Sequence, residues 1–315
     1  MRRALHLAAA AAIGISAATA PQLAQAQPAR AAQLAGAHQP HPAHRAHRAH
    51  LAGPAGIVAA AGDLVNASTG RRLWARGLDG IRPIASLTKV MAAIVVIRAG
   101  HLGRKIKVTG AAVAYAQQYS ATTAGLHAGD VLTTWQLLEG LLLPSGADAA
   151  YLLAQSYGPG WPAFVVKMNA LARELGLTQT HFANFDGLPW PTEYSTYSSP
   201  RDLITMARYA MRLRAFREIV RQRHHWIAAT RQHHHYYWVN TDLLLDTYRG
   251  AIGIKTGFTL GAGYCLLFEA RRAGRALLGV VLDSTATDPA MRFTAASRLL
   301  NWGFSVTRRR AADAG

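Results

Sequence analysis

Hydrophobic and polar positions change character three times along this chain. Behind Arg2 and Arg3, residues 4–20 form a mostly apolar run rich in Ala, Ile and Leu. Residues 27–54 then hold almost no large apolar side chain and alternate Ala, His, Pro, Gln and Arg. Ordered patterning starts near Ala55. Residues 56–65 predict a strand, Asn66-Ala67-Ser68-Thr69-Gly70 a turn, and residues 71–75 a returning strand. Residues 86–99 predict a helix, with Val90, Ala93, Ile94 and Ile97 spaced for one apolar stripe. From about 132 to 213 the pattern is helical, in segments 134–143, 148–156, 161–175 and 200–211. Two apolar runs, 263–270 and 276–283, flank Arg271-Arg272-Ala273-Gly274-Arg275 and predict a second hairpin. A last helix is expected from about 289 to 302.

Strands at both ends of a helical stretch predict an α/β (α+β) fold, in which terminal strands join one antiparallel sheet and the helices form an inserted lobe. A cleft between two lobes is a usual place for a ligand. The basic, apolar and small-residue order of residues 1–26 is that of a secretory signal peptide, with cleavage after Ala20 or Ala26. Residues 27–54 read as a solvated linker, 55–306 as the folded domain and 307–315 as a basic tail.

Composition sharpens this picture in two ways. The formal net charge is +18, which points to an anionic setting: nucleic acid, membrane surface or acidic polymer. One cysteine, Cys265, excludes an intramolecular disulfide framework and a multi-cysteine metal site, and its apolar flanks suit an inert core position. There are 29 Arg but only five Lys, at 89, 105, 107, 167 and 255. Arginine cannot give up its proton in a protein, whereas a buried lysine can act as a neutral base. The lysines are therefore the first residues to inspect.

Ser86-Leu87-Thr88-Lys89 puts a hydroxyl and an amine three residues apart, on one face of a helix start. An amine that is neutral at working pH can take the proton of such a serine and make it a nucleophile. The bland reading of Ser86 is a helix N-cap. Lys255-Thr256-Gly257 lies among glycines and alternating residues, as expected of an edge strand facing a cleft. There Lys255 and Thr256 could hold a carboxylate, and Gly257 would admit a bound chain close to the backbone. Between the two motifs, Ser145-Gly146-Ala147 sits in a loop joining two helices.

In this order and spacing the three motifs resemble those of the penicillin-binding serine D-alanyl-D-alanine carboxypeptidases of low molecular mass. The resemblance runs from about Ile57 to Phe304. It includes Pro83-Ile84-Ala85, Leu126-His127-Ala128-Gly129-Asp130, Gly140-Leu141-Leu142-Leu143-Pro144, Thr180-His181-Phe182-Ala183-Asn184, Gly187-Leu188 and Tyr194-Ser195-Thr196. It implies a serine β-lactamase/penicillin-binding fold, with 55–306 as the catalytic domain. It also implies removal of the terminal D-alanine from peptidoglycan stem peptides through an acyl-enzyme on Ser86. Lys89 would be the base, Ser145 would relay the proton to the leaving amine, and Lys255 and Thr256 would bind the substrate carboxylate. Gly257 would admit the substrate beside its strand, and the N–H groups of Ser86 and Phe258 would form the oxyanion hole. β-Lactams are expected as covalent inhibitors, with no cofactor, no metal and no nucleic-acid partner. Ala147 stands where the family usually has Asn, which bears on rate and substrate preference.

Other features suit simpler roles. His224, His225, His233, His234 and His235 suggest an exposed hairpin rather than a metal site. Asp148 reads as a helix cap and Glu193 as a solvated loop acid. An exported, extracytoplasmic or periplasmic enzyme is expected, with at most weak electrostatic membrane association. The alternatives are a peptidoglycan endopeptidase on the same scaffold, a β-lactamase, or a non-catalytic protein that binds wall polymer.

Overall fold

The computed structural model describes residues 53–312, with side chains described through Thr307. The expected signal peptide and nearly all of the expected linker lie outside the described residues. The chain opens with strands β1 (Ala61–Asn66) and β2 (Arg72–Arg76). Their turn is closed by the Asn66 side chain, which accepts from the Thr69 amide at 2.9 Å. Gly70 follows at φ +73°, where a β-carbon would be strained.

A short strand β3 (Arg82–Pro83) leads to helix α1 (Thr88–Ala99). Then come β4 (Lys105–Lys107), α2 (Gly110–Gln118), β5 (Val131–Thr133), α3 (Thr134–Leu142), α4 (Ala147–Tyr157) and α5 (Trp161–Glu174). The next elements are β6 (Tyr197–Ser198), α6 (Pro200–Ala210), α7 (Arg214–Val220) and the strands β7 (His224–Ile227) and β8 (Tyr236–Val239). After α8 (Leu244–Thr247), strands β9 (Ala251–Thr259), β10 (Gly263–Arg272) and β11 (Arg275–Leu282) precede α9 (Met291–Ala312). Local chemistry explains several starts. Thr133 and Gln136 form a reciprocal capping box on α3, and Ser199 caps α6 ahead of Pro200.

The main sheet has the order β2-β1-β11-β10-β9, antiparallel throughout. The N-terminal hairpin therefore joins the C-terminal strands, and residues 77–250 are inserted between them, as the terminal strands predict. Pairing of Leu64 with Gly279 fixes the register of that junction. Both faces of the sheet are covered. Ala61, Val65, Cys265, Leu267, Leu278, Val280 and Leu282 pack toward the helical lobe. Leu64, Leu266, Phe268, Leu277 and Val281 face α9 through Phe293, Ala296, Leu299 and Leu300. This period-two division explains why the strands read as nearly continuous apolar runs.

Two elements differ from expectation. Helix α1 is buried from Thr88 to Val96, so it is a central helix rather than one with a single apolar stripe. Helix α9 continues to Ala312, ten residues past the expected end, and takes in part of the expected basic tail. Gly303 does not stop it. A β-carbon there would lie 2.8 Å from both Leu277 Cδ1 and Leu64 Cδ2, so the missing side chain lets the helix approach the sheet closely.

Candidate functional site

Ser86 occupies the middle of a one-turn 3-10 segment, Ala85–Leu87, that leads into α1. It is partly exposed, whereas Lys89 is 2% exposed. Lys89 Nζ lies 3.0 Å from Ser86 Oγ and donates to the Asp186 carbonyl at 3.0 Å. No side-chain cap bond forms at this helix start, so Ser86 is not its N-cap. Ala85 has φ +46°, a left-handed conformation that costs a residue with a β-carbon about 1–2 kcal/mol. Such strain collects at functional sites, where packing holds it. Here the packing is Gly187, where a β-carbon would overlap the Ala85 carbonyl oxygen. That close approach brings Asp186 to Lys89.

Strand β9 is the edge of the main sheet and runs beside the Ser86 turn. A β-carbon on Gly257 would lie 3.1 Å from the Ile84 carbonyl oxygen and 3.3 Å from the Ser86 nitrogen. Lys255 is 1% exposed and donates to the Thr256 carbonyl at 3.1 Å. The hydroxyls of Thr256 and Thr241 are 2.6 Å apart. Phe258 is exposed at the strand's far end, its ring stacked on Tyr264 at 4.2 Å.

Ser145 is buried just before α4 and also adopts a positive φ, +67°. Among the described residues its hydroxyl makes no hydrogen bond to Ser86, Lys89 or Lys255. Ala147 is fully buried, its amide donating to the Thr122 carbonyl. Asp148 does more than a helix cap. Its carboxylate accepts from the Thr123 hydroxyl and from the Ala124 and Leu126 amides, which pins the 123–126 loop over this segment.

Burial dominates the electrostatics. It holds Lys89 below the ordinary lysine range, opposed in part by the charges of Asp186 and Asp148. The charges named around Lys89 raise its pKa, so burial alone lowers it. Repulsion between the two lysines weighs on Lys255, which burial lowers strongly and Lys89 and Arg292 lower further. The remaining lysines, 105, 107 and 167, are exposed.

Several residues here carry no sequence signal of their own. Arg292 donates to the Gly257 carbonyl at 3.3 Å, but nothing distinguishes it among 29 arginines. Thr241 and Asp242 follow the hairpin without a motif. Asp186 adjoins Gly187-Leu188, a segment that the family resemblance does mark. Its side chain accepts from the Tyr115 hydroxyl at 3.0 Å.

The histidine cluster forms the β7–β8 hairpin and diverges. His225 pairs with Glu139 at 3.2 Å, His234 pairs with Asp130 at 2.9 Å, and His235 stacks on Trp226. Among the described residues no three His, Cys, Asp or Glu side chains converge as a metal site. Cys265 is fully buried, and burial pushes its thiol up to about 12. Glu193 is half-buried and tied to Thr259 at 3.0 Å, not loose in solvent. A separate cavity of about 200 Å³, lined by Arg208, Arg212, Glu269 and Arg271 among others, shares no residue with this site. No described helix is long and apolar enough to cross a membrane.

Comparison with known proteins agrees with this geometry. The pattern of the D-alanyl-D-alanine carboxypeptidase family matches residues 48–286. A D-alanyl-D-alanine carboxypeptidase of Streptomyces sp. (strain K15) is 40% identical over 262 residues, 79% of this chain and 88% of that protein. One from Mycobacterium tuberculosis is 33% identical over 244 residues, 77% of this chain and 81% of that protein. The crystal structure of the Streptomyces K15 DD-transpeptidase superposes with a TM-score of 0.76 at 38% identity, covering 81% of this chain and all of that one. With its antiparallel sheet, inserted helices and three motifs in family order, the chain belongs to the D-alanyl-D-alanine carboxypeptidase family of penicillin-binding serine peptidases.

Proposed function

We propose that this carboxypeptidase removes the terminal D-alanine from peptidoglycan stem peptides through an ester on Ser86. The observation that carries the reading is the 3.0 Å contact between the Ser86 hydroxyl and an amine that is almost wholly withdrawn from water. Desolvation favours the neutral amine, which can accept the hydroxyl proton as Oγ attacks the penultimate carbonyl. The new C–O bond forms as the C–N bond breaks, and the leaving D-alanine amine takes a proton delivered through Ser145. Water then attacks the ester, gives its proton back through Lys89, and releases the shortened peptide as an acid.

Lys255 and Thr256 hold the substrate carboxylate. Two neighbouring buried amines share protons as a coupled pair, and a bound carboxylate favours protonation of Lys255, leaving Lys89 neutral. The amides of Ser86 and Phe258 receive the developing oxyanion. Gly257 leaves the approach along β9 open to an extended peptide. No step needs a metal or cofactor. Residues 1–26 act as an export signal in this reading, so the reaction takes place outside the cytoplasm, in the periplasm or its equivalent. The positive charge suits a polymer rich in carboxylates.

Intact-mass measurement after incubation with benzylpenicillin tests the proposal. One equivalent of covalent adduct is expected, absent from Ser86→Ala. An adduct that persists in Ser86→Ala would move the nucleophile elsewhere.

A further inference from the structure

Asp186 is fully buried beside Lys89, and the chemistry proposed above makes no use of its carboxylate. Lys89 Nζ donates to the main-chain carbonyl of Asp186 at 3.0 Å, so the loop that carries this acid already touches the proposed base. That loop is tightly held. Asn184 Oδ1 accepts from the Gly187 amide at 2.7 Å, and Asn184 Nδ2 donates to the carbonyls of Leu188 and Trp190 at 2.8 and 2.7 Å. Gly187 packs directly on the Ala85 carbonyl, where any β-carbon would overlap the oxygen.

The carboxylate is clamped from two sides. Oδ1 accepts from the Leu188 amide at 3.1 Å, and Oδ2 accepts from the Tyr115 hydroxyl of α2 at 3.0 Å. Tyr115 accepts in turn from Trp190 Nε1 at 3.1 Å, so its one hydroxyl proton is directed at Asp186. The Tyr115 ring is packed against Phe185 and Tyr151, with centroids 5.3 and 5.1 Å away. Burial opposes ionisation of the Asp186 carboxyl group, while the charge of Lys89 and the donors on both oxygens favour it. Among the described residues no cation forms a contact ion pair with Asp186, an arrangement that is costly for a buried acid.

The groups facing Lys89 show what the carboxylate can do. Burial favours the neutral amine, and Asp186 from its loop and Asp148 from α4 favour the ammonium. Asp148 is already engaged by the Thr123 hydroxyl and the Ala124, Leu126 and Ala149 amides. Lys255 on β9 presents a like charge, and burial keeps the Tyr115 hydroxyl protonated. We propose that Asp186 is a positioning residue acting through Lys89: its carboxylate, held by Tyr115, stabilises the ammonium that forms when Lys89 takes the Ser86 proton. One proton passes from Ser86 Oγ to Lys89 Nζ as Oγ bonds the reacting carbonyl carbon, and Asp186 stays ionised throughout. The charge that appears on the amine meets a counter-charge already in place, so the buried amine remains an effective base. This inference rests on the acyl-enzyme reading, because that reading makes Lys89 the base.

The test follows the rate of covalent labelling by benzylpenicillin against pH in Asp186→Asn. Asn keeps the shape and can still accept from the Leu188 amide, but it carries no charge. Without the counter-charge Lys89 becomes a weaker base that is neutral at lower pH. The midpoint of the acidic limb should therefore fall by about one pH unit or more, and the plateau rate should drop about threefold to tenfold. Tyr115→Phe keeps the ring and removes a donor, so Asp186 holds a proton more readily. Its midpoint should fall less far, and it should add no further shift on top of Asp186→Asn. A plateau lowered without any change of midpoint, or no change at all, would make Asp186 a merely structural acid and overturn the assignment while the Ser86 reading stands. If Asp186→Asn does not fold, the midpoint of Tyr115→Phe decides alone. No adduct with the unaltered protein would sink the acyl-enzyme reading, and this inference with it.

Discussion

Lysine is rare in this chain, and two of its five copies, Lys89 and Lys255, are buried at the candidate site. Replacing Lys89 by Arg keeps the charge and removes the proposed base, so acylation by benzylpenicillin should slow at least about 10²-fold. A rate within about threefold of the unaltered protein would reduce Lys89 to a structural cation. Burial lowers the Lys89 pKa from the ordinary value of 10.5, so its lone pair is free above the lowered value and lost below it. Acylation should therefore rise with pH to a plateau, with an apparent midpoint below 10.5, and a rate flat down to the carboxylate range would contradict this. Asp242 offers a second residue-scale test. It is buried, its Oδ2 has no hydrogen-bond partner, and burial pushes its carboxyl up to about 7. The folded state thus holds this proton more tightly than the unfolded chain. Its stabilising contribution is complete below about 3.8 and is lost as pH rises through about 7. Asp242→Asn should gain Tm relative to the unaltered protein between about pH 5 and pH 8. An equal Tm difference at both pH values would mean that Asp242 does not titrate there.

At the scale of elements, the site depends on how closely β9 and α9 approach their neighbours. Gly257→Ala would put a β-carbon 3.1 Å from the Ile84 carbonyl oxygen and 3.3 Å from the Ser86 nitrogen, forcing the strand and the Ser86 turn apart. Benzylpenicillin labelling should slow about tenfold or more, with a stability cost of about 1–3 kcal/mol from overpacking. Unchanged labelling kinetics would show that the turn can give way freely. Gly303→Ala is the complementary case. Its β-carbon meets Leu277 and Leu64 on the sheet face away from the helical lobe, so thermal denaturation should register a loss of about 1–2 kcal/mol while labelling of Ser86 continues. A rise in Tm would mean that the helix-propensity gain of alanine, about 1 kcal/mol, outweighs the crowding.

Among the described residues, both faces of one antiparallel sheet are covered and its free edge β9 borders the Ser86 turn. Much of this is readable from the chain alone. Two hairpins, the helical insertion, the edge character of 253–259 and the S-x-x-K and K-T-G motifs all follow from periodicity, glycine placement and residue type. Those signals are local, because side-chain period and turn chemistry act over a few residues. Contacts between distant segments required packing. Lys89 meets the carbonyl of Asp186 across 97 residues, and His234 meets Asp130 across 104. Glu193 reaches Thr259 across 66 residues, which turns a loop acid into a feature of the site's edge. Residue order specified which side chains prefer burial and which groups could react. Tertiary structure alone decided which of them meet, because close packing of the Gly187, Gly257 and Gly303 backbones sets those distances, and no local pattern encodes a neighbour a hundred residues away.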